Sequence, residues 1–226
     1  MPMWAKTIML FIGLAFIGLG IGLGFFVARQ AQANAERAAR LQPLSAAAFK
    51  YAAPANTVLV EGSISSQNPL RFRTFVAYSV VEYRGEADDD GDPKWELLER
   101  VTPPLFLDAG GLIALSNNNY QLQRSHAEYQ DQPYLRWDGW RNEGTKIYSG
   151  LIHDGTVMVI GTVTRRAAQN ELEAEFVFAG TRAEYISDQR QTSAMLPWVG
   201  LIFGLAGVFI VALGFWEQLP RFGTRG

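Results

Sequence analysis

The sequence predicts a membrane-anchored α+β protein, with two transmembrane helices flanking an antiparallel β-rich domain built as a small barrel or a sandwich. Two apolar runs without charge stand at opposite ends of the chain, at residues 7–28 and 195–215. Each reaches the roughly 20 residues that a helix needs to cross about 30 Å of hydrocarbon. Between them lie short β-branched and aromatic stretches divided by turn residues, the pattern of an antiparallel sheet. The mean hydropathy of zero only averages greasy ends over a polar centre.

The first run carries Lys6 before it and Arg29 after it. Ala31-Gln32-Ala33 has the form of a signal-cleavage site, so a cleaved signal is one reading. The run of 22 residues exceeds the roughly 7 to 15 of a signal core, which favours an uncleaved anchor. Lys6, Arg221 and Arg225 favour cytoplasmic tails, Arg29, Arg37, Arg40, Arg182 and Arg190 flank the other side, and a large central segment translocates largely regardless of its charge. Both termini are therefore expected in the cytoplasm and the central domain outside it. Small residues recur at spacing four in both runs, as Gly18 with Gly22, Gly20 with Gly24, and Gly200 with Gly204. Such pairs let helix backbones approach closely in lipid. Trp4, Trp198 and Trp216 sit where interfacial indoles set depth.

Residues 29–40, RQAQANAERAAR, are alanine-rich and helix-forming, and Pro43 stops the pattern. They read as a stalk. From residue 55 the pattern turns to strands: TVLVEGSI at 57–64, then 72–83, 95–102, 105–108, 146–152, 157–164 and 172–178. TVMVIGTV at 156–163 echoes TVLVEGSI, and in each a central glycine (Gly62, Gly161) suits a bulge or a bend. The expected boundaries are an N-terminal span to residue 28, a stalk and linker over 29–54, a β domain over 55–190, a second span over 195–216, and a tail over 217–226.

Chemistry is sparse. A formal net charge of −2 lacks the basic footprint of a nucleic-acid binder, and no nucleic acid is expected as a partner. With no cysteine in 226 residues, disulfides, thiol nucleophiles and thiolate metal sites are excluded. His126 and His153 are the only imidazoles, and each reads as a solvated turn residue. Asp88, Asp90 and Asp92 in the run DDDGD are weak candidates for a cation, but the run lacks the twelve-residue EF-hand loop. No catalytic residue and no cofactor is expected. The segment 125–142, SHAEYQDQPYLRWDGWRN, is the best candidate for binding. Tyr134, Arg136, Trp137, Trp140 and Arg141 have the composition of a protein interface, although its tryptophans could also cover a barrel or touch headgroups.

The order of parts resembles the beside-a-membrane domain (BAM, or GIDE type) of the mitochondrial membrane-anchored ubiquitin ligases and their bacterial relatives. The resemblance is carried by VEGSISSQNPLRFRTFVAYSVVEYRGE and by GTVMVIGTVTRRAAQNELEAEFVFAGTRAEYIS, with Gly155, Gly161, Asn170, Gly180 and Tyr185 at matching places. It implies a membrane-proximal domain that holds a partner. The eukaryotic ligases also carry a zinc-binding RING domain, which a chain without cysteine cannot build. Ubiquitin transfer is not expected here. The bilayer, and another membrane protein or a second copy of this chain, are the expected partners.

Overall fold

The computed structural model describes residues 3–86, 92–167 and 169–215. The chain is α+β and divides into two compact units. One is built from residues 1–37 with 186–226, and the other is Ala38–Tyr185.

The first unit is helical. α1 (Met3–Ile21) passes through a π-helical stretch, Gly22–Val27, into α2 (Ala28–Arg40). Ala28, Ala31, Ala35 and Ala38 are buried along one face of α2, at alternating spacings of three and four, while Arg29, Gln32 and Glu36 stay exposed. A second helix, Arg182–Phe215, contains Pro197 without ending there and starts well before the apolar run that marks it in the sequence. Only 11% of each apolar window is buried. Trp4, Phe11, Phe26, Trp198, Ile202 and Phe209 are exposed, which is the reverse of a core helix in a soluble protein.

Glycine brings the helices together through part of the expected set, Gly20, Gly24 and Gly200. A methyl on Gly20 would lie 2.5 Å from the Gly200 carbonyl oxygen and 2.9 Å from the Gly204 nitrogen. One on Gly24 would touch the Gly200 Cα at 3.5 Å. Gly18 and Gly22 face open space. Gly13 and Gly207, which spacing four does not pick out, also meet: a methyl on Gly207 would lie 2.5 Å from the Gly13 carbonyl oxygen. The working period is seven (Gly13 to Gly20, Gly200 to Gly207), as in a coiled-coil seam. Phe16 and Phe203 close the contact with ring centroids 5.7 Å apart.

The second unit begins with a short helix, α3 (Ala46–Phe49), capped by the Ser45 hydroxyl. Twelve strands follow among the described residues. β1 (Thr57–Ile64), β4 (Phe106–Asp108), β5 (Leu112–Ala114), β6 (Gln121–Gln123), β11 (Thr156–Arg166) and β12 (Gln169–Ala179) form one sheet, in the order β5-β4-β1-β11-β12-β6. β2 (Phe75–Glu86), β3 (Pro93–Val101), β7 (Ala127–Gln130) and β10 (Lys146–Ile152) form another, in the order β3-β2-β10-β7. β8 (Trp137–Asp138) and β9 (Glu143–Gly144) pair separately. All ladders between these strands are antiparallel except β12 with β6. Val60 and Ile64 of β1, Val76 of β2, Leu151 of β10, Val159 of β11 and Val177 of β12 share one core, so both larger sheets pack on the same apolar interior.

No closed barrel forms among the described residues. The six-stranded sheet ends in β5 and β6, three residues each, and the four-stranded sheet keeps β3 and β7 as edges. The two echoing segments do meet, because β1 pairs with β11 from Thr57↔Thr162 to Ser63↔Thr156. Gly161 lies at a register shift against β12, as its position in the strand suggests. Gly62 sits in unbroken pairing with β11, and a side chain there would instead strike the Asp108 carbonyl oxygen.

The long C-terminal helix, α4 (Arg182–Phe215), starts with a capping box. The Thr181 N–H donates to Glu184 Oε2 at 2.8 Å, and the Glu184 N–H returns to Thr181 Oγ1 at 3.2 Å. The Arg182 guanidinium donates to the carbonyls of Ala38 and Ala39 at 2.9 and 2.6 Å, capping the C-terminus of α2. The Arg182 N–H itself donates to Glu61 of β1 at 2.9 Å. The Thr181 N–H, as the largest cause, together with the Thr181 hydroxyl and the charge of Arg124 holds the Glu184 carboxyl below its ordinary range. A lowered folded-state value means that the stabilisation is present above the unfolded carboxylate range and fades as pH falls through the folded value. Thr181→Ala should cost about 1 kcal/mol. The N–H of residue 181 survives that change, so it is Glu184→Gln that should flatten the acid limb of thermal stability, followed by circular dichroism of the full chain in detergent.

Candidate functional site

The segment between β7 and β10 is held from beneath by one buried carboxylate. Glu82, on β2, is 2% exposed. Its Oε1 accepts the Gly144 N–H at 2.9 Å, and its Oε2 pairs with Arg84 Nη2 at 2.9 Å. Lys146 Nζ stands 3.8 Å away. Residues two apart on a strand share a face, so Glu82 and Arg84 rise side by side. The Arg84 guanidinium then forks: Nε donates to Glu96 of β3 at 2.7 Å, and Nη1 to the Asn142 carbonyl at 2.9 Å. It also lies over the Trp137 ring, 5.1 Å from the centroid.

A buried hydroxyl completes the support. Thr145 Oγ1 accepts the Arg136 N–H at 2.8 Å and donates to the Tyr134 carbonyl at 3.0 Å. The Asp138 carboxylate accepts the N–H groups of Trp140 and Arg141 at 3.0 and 3.3 Å, which fixes the β8–β9 turn. The loop is therefore pinned by main-chain bonds at both its ends.

Its outer side carries unsatisfied surface. Trp140 is fully exposed, Tyr134 is 65% exposed and Leu135 46%. Arg136 and Arg141 are exposed, and neither guanidinium has a bonding partner among the described residues. Beside them a cleft of about 190 Å³ is lined by Asp131, Arg136, Asp138, Arg141, Glu143 and Lys146. Two of its carboxylates already serve the main chain, Asp138 as above and Asp131 by accepting the Lys146 N–H at 2.9 Å.

Four of the five residues read from the sequence as a contact face, Tyr134, Arg136, Trp140 and Arg141, are exposed. Trp137 is less exposed than the other four. Its ring is half-buried against Arg84 and Gly85, where a methyl on Gly85 would come within 3.1 Å of it. Trp137 is the floor of the loop rather than its face. Glu82 and Thr145 escape a reading for contact residues because they are buried, and Arg84 because it is half-buried. The one local signal is the Glu-x-Arg pair on a strand, which places two charges on a single face.

The remaining candidates are scattered. Asp88 and Asp90 lie outside the described residues, and Asp92 is exposed. No group of three or more His, Asp or Glu placed to hold a metal occurs among the described residues. Neither histidine is a free turn residue. His126 Nε2 donates to the Thr156 carbonyl at 2.7 Å while its Nδ1 accepts the Ile152 N–H at 3.4 Å. His153 Nε2 donates to the Asn68 carbonyl at 2.7 Å. Of the residues carrying the family resemblance, Asn170 ties its side chain to the carbonyls of Phe49 and Ala52 at 2.9 and 2.8 Å. Tyr185 is buried against Phe176 and Phe178. Both serve the fold. No family model, curated protein or solved structure matches the chain.

Proposed function

We propose that this chain is a two-span membrane protein whose β unit is a non-catalytic interaction module, a subunit or scaffold of a membrane assembly. Both termini lie in the cytoplasm and the β unit outside it. The lipid-facing reading of the helices is supported by their exposed apolar side chains and their glycine contacts. The resemblance to the beside-a-membrane domain supports the same role, without ubiquitin transfer.

The observation that carries the proposal is the anchored loop. One loop that carries an exposed tryptophan, an exposed tyrosine and two guanidiniums with no partner among the described residues has the composition of a binding hot spot. Because the loop is already fixed by Glu82, Arg84 and Thr145, little ordering entropy opposes association. The engaged nitrogens of His126 argue against a free general base at that position.

Crosslinking in native membranes, followed by purification through a C-terminal tag and mass spectrometry, tests this. The expected result is one membrane partner at near-stoichiometric yield. Trp140→Ala combined with Arg141→Ala should abolish its recovery while changing stability by no more than about 0.5 kcal/mol per site, as for surface substitutions. Equal recovery with both side chains removed would exclude this face, and no partner in either case would remove the scaffold reading.

A further inference from the structure

The core-facing side of the four-stranded sheet is apolar except at one step. Cross-strand partners point to the same side of a sheet, as do residues two apart on a strand. Ala77 with Leu151 is fully buried in the shared core, and Val81 with Ile147 is half-buried on the same side. The pair between them is Ser79 with Ser149. At that step a cleft of about 140 Å³ opens between the sheets. Breaks in a pattern that the neighbouring positions obey are expected at functional sites.

The facing wall comes from the end of the other sheet. Leu122 of β6 packs on the core, and Arg124 and Ser125 follow in the connection from β6 to β7. The hydroxyls of Ser79 and Ser125 have no partner among the described residues, while Ser149 Oγ donates to Glu128 Oε1 at 3.1 Å. The charges around the cleft balance. Arg124 shares its charge with the Glu184 carboxylate, Arg100 stands opposite Ser79 on β3, and Glu128 stands opposite Ser149 on β7. Two guanidiniums against two carboxylates favour neither a bare anion nor a bare cation. Glu86 ends β2 roughly 23 Å from Ser79, at about 3.3 Å per residue, so charges beyond it are screened.

A hydroxyl both donates and accepts, and a ligand rich in hydroxyls matches such a wall without carrying charge. The volume holds several waters, which a small polyol would displace while reproducing their bonds. We infer that the cleft binds the adjacent hydroxyls of a small neutral polyol, either glycerol or one residue of a saccharide. Ser79 and Ser125 bond it from the two walls, and Arg124 and Glu128 supply a donor and an acceptor at the rim.

Saturation-transfer NMR on the full chain in phosphatidylcholine nanodiscs, which present no sugar, tests this with glycerol and glucose as probes. Transfer to at least one of them is expected. Glucose alone would assign a saccharide, and glycerol alone the smaller ligand. Ser79→Val with Ser149→Val closes the cleft and should reduce transfer severalfold. The thermal midpoint should hold, because valine suits a core-facing strand position. Ser125→Ala, on the connection rather than in a sheet, should also weaken transfer and keeps the test open if the valine variant folds poorly. Sodium phosphate at equal concentration should not compete. Silence from both probes would overturn the inference. So would displacement by phosphate, which would mark an anion site, or transfer unchanged in folded variants, which would place binding elsewhere.

Discussion

Glu82→Ala should destabilise the β unit by about 3 kcal/mol, the lower end of the range for breaking a buried ion pair. The carboxylate is buried with three donors around it, and alanine would leave the Gly144 N–H without an acceptor. Arg84 would keep Glu96 and Asn142 but lose its buried counter-charge. The loss should be local first. Limited proteolysis should cut between Asp131 and Glu143 before the rest of the unit opens, and the thermal midpoint of the full chain should fall. Glu82→Gln keeps one acceptor and should cost less. An Ala variant with unchanged midpoint and unchanged nicking would show that the loop is held by something other than this carboxylate.

Replacing Gly20 or Gly200 with leucine should separate the two long helices. A first side-chain carbon at either position would stand 2.5 Å from the carbonyl oxygen of the other, with backbone rather than a flexible side chain in the way. Overpacking of this kind costs about 1 to 3 kcal/mol. The readout is a cysteine pair at Phe16 and Phe203, whose rings touch in the native packing. In the otherwise cysteine-free chain the pair should crosslink readily with a short bifunctional reagent, and the yield should fall severalfold once Gly20→Leu is added. Gly18→Leu is the contrasting case, because open space surrounds that position and the yield should not change. Equal yields in the two variants would mean that the period of seven does not set the contact.

That contrast shows where sequence reading stops. Gly18, Gly20, Gly22 and Gly24 look equivalent along the chain, and spacing four selects all of them. Only the partner helix distinguishes them, because a seam of period seven turns Gly13 and Gly20 inward and leaves Gly18 outside. The histidines make the same point. Turn-forming neighbours suggested solvated rings, but a carbonyl brought from Thr156 or Asn68 claims each one.

The sequence by itself determined what local periodicity can encode. The two long apolar helices are visible as unbroken runs, and β1 and β10 are legible to the residue from their β-branched stretches. It also bounded the chemistry, since a chain without cysteine excludes thiolate sites outright. Tertiary structure decided the open sheets in place of a barrel, the inward turn of Trp137, and the anchoring of the exposed Trp140 face. Each depends on groups far apart in the chain, such as Glu82 with Gly144 or Arg84 with Asn142. Such contacts leave no period to read, because their energy comes from burial and hydrogen-bond geometry that exist only once the strands have paired.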